Sequence, residues 1–145
     1  MRGTWMKKTA GLLLVCAVAA AVMAQESPFQ AVGSMSQLMI NIIYPTSNAI
    51  FYVSRGAPKN QLEWNEMANS ALTLAESGNL LMMPGRSRDN DKWVADAKLL
   101  VDVGAAAYKA AQAKDADALV ALSDQLNTAC VQCHMDYRPS YRKRK

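Results

Sequence analysis

The chain holds a single histidine, His134, and only three cysteines in 145 residues. That scarcity excludes several chemistries. A Cys-His or Ser-His hydrolase would have to be built on that one imidazole. A closed zinc site needs four Cys or His ligands, and once Cys16 is set aside, for the reason given below, two thiols and one imidazole are left. No run of about twenty apolar residues is present, so no segment reads as a retained membrane span. Alternation of apolar and polar residues is also absent, which argues against half-buried strands and against a thioredoxin-type pair, which would open a helix in a βαβ pattern. No stripe of basic residues interleaved with aromatics marks a nucleic-acid surface.

The first 24 residues have the layout of a secretory leader. Arg2, Lys7 and Lys8 form a basic start, Ala10 to Val22 is apolar, and Val22-Met23-Ala24 supplies small residues for cleavage before Gln25. Cys16 falls inside the apolar run and is expected to leave with it; lipid attachment there is disfavoured by the bulky Leu14 and Val15 before it. Three of the sixteen basic residues lie in the leader, so residues 25–145 carry 13 basic against 12 acidic side chains. Arg138, Arg142, Lys143, Arg144 and Lys145 crowd the last eight positions, a solvated tail or a docking patch for an acidic partner.

Residues 25–145 have the length of one domain, and their Ala, Leu and Met content favours helix. Four helical stretches separated by Gly or Pro predict an all-α antiparallel four-helix bundle. The first runs from Ala31 to Ser54 and places Met35, Met39, Ile42 or Ile43, Ile50 and Val53 on one side; Pro45 predicts a kink or break near Asn41 to Pro45. The second runs from Asn60 to Ser77 with Leu62, Trp64, Ala68, Ala71, Leu72 and Ala75, and stops at Gly78. A loop from Gly78 to Asp91 follows. The third is capped by Asp91 and carries Trp93, Ala97, Leu100, Val101, Gly104, Tyr108 and Ala111; Gly104 implies close approach of a neighbouring helix or a flat cofactor. The fourth opens at Asp115, continues through Leu119, Leu122, Leu126, Cys130 and Cys133 to Tyr137, and is closed by Pro139.

The strongest signal lies on this last stretch. Cys130-Val131-Gln132-Cys133-His134 has the Cys-x-x-Cys-His spacing that fastens a haem covalently. Two thiols about one helical turn apart share a face and can each add to a porphyrin vinyl group, while the adjacent imidazole ligates the iron. A plain disulfide would leave the histidine unexplained. The expected cofactor is therefore one haem c per chain, bound through Cys130 and Cys133.

A haem-attachment motif on the last of four helices in a short exported chain resembles the class II c-type cytochromes, the family of cytochrome c-prime and its low-spin relatives. The family also tends to place an aromatic and a basic residue just after the histidine, here Tyr137 and Arg138. The resemblance implies that His134 is the proximal ligand and that a residue of the first helix covers the other face of the iron. Laying Gly56-Ala57-Pro58 on the family's first interhelical turn puts Met39 at that position, with Met35 one turn earlier as the alternative; Met82 and Met83 are further thioethers. Arg138 would pair with a haem propionate.

With both axial positions filled, the expected activity is periplasmic one-electron transfer to redox partner proteins and not enzymatic turnover, with thioether ligation raising the potential. The alternatives are a five-coordinate protein that binds nitric oxide or carbon monoxide, and a haem-free copper binder that uses methionines, for which no dense Met-x-x-Met array exists. Some members of the family pair into dimers.

Overall fold

The computed structural model describes residues 28–89 and 91–142. The leader, Cys16 and the tail beyond Arg142 lie outside the described residues. Every regular element among those residues is helical, which establishes the all-α class. None of these helices is long and apolar enough to cross a membrane.

The first stretch is α1 (Met35–Leu38), a π turn (Met39–Ile43) and α2 (Tyr44–Phe51), followed by a 3₁₀ turn (Val53–Arg55). It opens at Ser34 and not at Ala31. The Ser34 hydroxyl accepts from the Gln37 N–H while the Gln37 side chain accepts from the Ser34 N–H, a reciprocal cap that fixes the start. The expected disturbance at Pro45 takes the form of a π turn that separates two short α-helices. Pro45 sits in the first turn of α2, and the preceding π turn accommodates the amide that proline lacks.

α3 (Gln61–Leu81) starts at Asn60, whose side chain accepts from Glu63 N–H, and runs past the expected stop at Gly78. That glycine is a packing position: a Cβ there would lie 2.6 Å from the Val101 Cγ2. The connection to α4 (Lys92–Gln112) is accordingly shorter than the sequence suggests. Leu62 and Leu72, expected on the inward face of α3, are exposed. Asp91 makes no capping bond; Asp89 instead accepts from the Trp93 N–H at 2.8 Å. The last stretch divides at Leu122 into α5 (Ala116–Ala121) and α6 (Ser123–Tyr137), with Asp115 capping the first through Ala118 N–H. Pro139 ends α6 as expected but opens one further turn, α7 (Pro139–Arg142).

α3 and α4 form the main packing pair and run antiparallel, since Ala75 meets Gly104, Gly78 meets Val101, and Leu81 O accepts from the Trp93 indole at 2.8 Å. α6 runs antiparallel to α4, with Gln132 beside Asp96 and Thr128 and Ala129 beside Leu99. Ile50, Leu74, Leu119 and Leu126 are sealed between these elements, each such side chain contributing about 1.5–3 kcal/mol by leaving water. Gly104 is explained by this packing: a Cβ there would lie 2.6 Å from the Ala75 nitrogen.

Candidate haem-attachment site

The apolar stripe of α6 runs Leu126, Ala129, Cys130, Cys133, so the helix that buries Leu126 in the core also carries the thiols to the edge of that core. Cys130, Cys133 and His134 are half-buried and line a cavity of about 560 Å³. The first stretch lines the same cavity with Met35, Met39, Ile43 and Phe51. Two segments nearly a hundred residues apart in sequence thus bring two thiols, an imidazole and two thioethers to one apolar space. Its volume is in the range of small-molecule and cofactor pockets.

Burial governs the titration of these groups. It pushes the Cys130 thiol up, and pushes Cys133 up to about 11, with the negative charge of Asp96 as a second cause. His134 is shifted down, first by burial and then by the Arg138 guanidinium. The thiols are therefore protonated and the imidazole neutral at neutral pH, with the imidazole in the form that ligates a metal. Cys130 and Cys133 are both free. Among the described residues no group of three or more His, Cys, Asp or Glu side chains forms a site for a bare metal ion.

The end of α6 is pinned to the start of α4. Tyr137 packs edge-on against Trp93, with ring centroids 4.8 Å apart at 75°, and its hydroxyl donates to the Asp89 carboxylate. Asp89 is held below the ordinary carboxylate range by the Trp93 N–H first and the Tyr137 hydroxyl second. Lys92 pairs with Asp136 at 2.8 Å, an exposed bridge of little energetic weight. Arg86 ties the α3–α4 connection to the residue before the Ser34 cap, donating to Gly33 O at 3.2 Å and to Leu80 O at 3.3 Å. Trp93 and Tyr137 themselves line the large cavity, so these bonds fix part of its wall.

The expected residues are sorted by this geometry. Met35 and Met39 both line the cavity, whereas Met82 and Met83 do not; the Met83 sulfur instead accepts from Arg86 at 3.4 Å. Arg138 stands exposed at the cavity, and Arg88 joins it there, so two guanidiniums are available to a carboxylate-bearing ligand. Arg88 was not distinguishable by sequence from its loop neighbour Arg86. Asp96 was also missed, although a carboxylate between Trp93 and Leu100 on the inward stripe of α4 is a readable anomaly. The donor set fits a haem: paired thiols, an adjacent imidazole, a thioether from another helix, and cations at the rim. Compared with protein-family models, with curated proteins and with solved structures, the chain matches none of them.

Proposed function

We propose that the chain is an exported c-type cytochrome of the class II kind. In this reading its α1–α2 stretch, α3, α4 and the α5–α6 stretch form an antiparallel four-helix bundle around one haem c. Cys130 and Cys133 hold the porphyrin through thioethers, His134 is the proximal ligand, and Met39 is the ligand from the first stretch. The bound group supplies a one-electron couple; the residues around it bind it, exclude water and set how readily it gains an electron. The observation that carries the reading is the convergence of the Cys130–His134 motif and the two methionines on one apolar cavity.

Met39 is preferred over Met35 for a specific reason. A second, smaller cavity of about 40 Å³ is lined by Met39 together with Cys130, Cys133 and His134, and Met35 has no part in it. Arg138 and Arg88 would face the propionates, leaving the charged edge toward solvent. An exposed redox edge suits a small, transient contact with a partner protein, and the basic residues at the carboxyl end favour an acidic one. Export to the periplasm agrees with thioether attachment, which is carried out outside the cytoplasm. The apolar wall of Ile40, Ile43 and Phe51 also suits the second reading, an open iron position that takes nitric oxide or carbon monoxide.

Intact mass and an absorption spectrum test both readings. A haem adduct that survives denaturation, with sharp, split low-spin bands on reduction, is expected. Met39→Ala should replace them with a broad high-spin spectrum, whereas Met35→Ala should leave them in place. High-spin bands in the unsubstituted protein would favour the open site, and a bare polypeptide mass would refute the haem reading.

A further inference from the structure

Among the described residues Asp96 is the charged side chain most fully withdrawn from water. It lies on α4 with 1% of its surface exposed. One carboxylate oxygen accepts from Gln132 Nε2 at 2.8 Å, and the other is buried without a hydrogen-bond partner. Burying a carboxylate with one neutral hydrogen-bond donor and no bonded cation is costly, and a residue contributing only packing would not incur that cost; Lys92, one turn earlier on α4, acts on it only through space. Gln132 is one of the two residues between the thiols, so the hydrogen bond runs directly into the attachment segment. Asp96 also lines the small cavity that Met39, Cys133 and His134 share, and is its one acidic group.

We infer that Asp96 is a potential-setting residue: its carboxylate, anchored by Gln132 from inside the Cys130–His134 segment, holds a fixed negative charge beside the redox centre and favours the oxidised state. The inference rests on the haem reading and specifies a residue that regulates that site. Gain of one electron removes one positive charge from the centre. A nearby negative charge loses attraction when this happens, so it opposes reduction, and in a water-poor interior the effect is not screened away. Asp96 thus acts against the rise in potential that a thioether ligand and an apolar pocket produce. It touches the attachment segment and needs no bond to the iron, so removing its charge should move the potential without changing the ligand set.

The experiment is a redox titration of the haem-loaded chain and of Asp96→Asn, which keeps the shape and an oxygen for Gln132 but removes the charge. The expected result is a shift of the ferric–ferrous equilibrium toward ferrous by about tenfold, equivalent to about 59 mV for one electron, with unchanged visible bands. Asp96→Glu should restore most of the original value. A shift below about twofold in Asp96→Asn overturns the inference while leaving the haem assignment intact; a wild-type chain without covalent haem, seen by mass before any titration, is failure of the assignment itself. Should Asp96→Asn not accumulate, reduced-minus-oxidised infrared difference spectra of the wild-type protein with isotope-labelled aspartate decide the matter. A carboxylate band that moves on reduction is expected, and its absence overturns the inference.

Discussion

Gly104 offers a test of the packing that does not depend on any cofactor. Helix propensity alone says that alanine should stabilise this position by about 1 kcal/mol, because glycine is the costlier residue in a helix interior. The structure says the opposite. A Cβ at Gly104 would lie 2.6 Å from the Ala75 nitrogen and 2.7 Å from its Cα, and only the Ala75 Cβ, at 3.0 Å, belongs to a side chain. The obstruction is the backbone of α3, so relief requires the two longest helices to move apart, and overpacking of this kind costs about 1–3 kcal/mol. With no flexible side chain to yield, the upper part of that range applies, and the net effect of Gly104→Ala is a loss of about 1–2 kcal/mol. For a domain of this size that lowers the melting temperature by roughly 3–10 °C. Gly78 provides the internal comparison. Its nearest obstacle is a Val101 methyl at 2.6 Å, with the Ala97 oxygen and Val101 nitrogen at 3.1 Å, so the worst overlap is with a side-chain methyl and not with main-chain atoms, and Gly78→Ala should cost less. Thermal unfolding followed by helical circular dichroism, with all variants in the same state of haem loading, measures both. A Gly104→Ala protein as stable as the parent, or less affected than Gly78→Ala, would refute the reasoning.

Two further outcomes concern the haem-free folded chain. Cys133 is pushed from its ordinary 9.0 to about 11, which lowers its thiolate fraction at pH 8 about a hundredfold; the greater nucleophilicity of the more basic thiolate recovers about tenfold of that. Alkylation of Cys133 by iodoacetamide should therefore be about tenfold slower folded than unfolded in urea, and equal rates would contradict the burial. His134 is depressed below its ordinary 6.5, so on acidification the unfolded chain binds this proton before the folded one does. The contribution of the neutral imidazole to stability is complete above about pH 6.5 and declines as pH falls from there through the lowered folded value. Denaturant unfolding across this window should show the decline, and His134→Gln should flatten it; a slope unchanged by the substitution would show that another group is responsible.

The features legible in sequence were those fixed by local chemistry. The Cys130–His134 spacing and the start signals at Asn60 and Asp115 need only the residues themselves, and the inward stripe of α4 follows from its period. Features set by tertiary contact were misread. Gly78 has the sequence appearance of a helix stop, but Val101 across the interface makes the missing side chain a packing requirement. Asp91 looks like a cap by position, yet Asp89 takes the Trp93 N–H because its other oxygen is engaged by Tyr137, 48 residues away. Leu62 falls in the apolar pattern but stays exposed because it points away from the stripe of Trp64, Met67, Ala71 and Leu74 that packs inward from the same helix. Pro45 is legible as a disturbance, but the form it takes, a π turn just before it, depends on what the surrounding chain allows.

That π turn links the proline to the site. Met35, Met39, Ile43, Ser47 and Phe51 all line the large cavity, spaced four residues apart over more than four turns. In a regular α-helix each four-residue step overshoots a full turn by about 40°, so such a series winds off one face well before its end. A π turn takes more residues per revolution and winds less per residue; placed at Met39–Ile43, in the middle of the series, it removes part of the accumulated overshoot. Met35 before it, Met39 at its start and Phe51 after it can then face the same space. Pro45 has no amide to donate to the preceding turn, so the regular i to i−4 pattern could not have continued through this point in any case. One residue two positions after the turn thus makes the irregularity inexpensive, and the irregularity is what holds a continuous wall opposite the thiols.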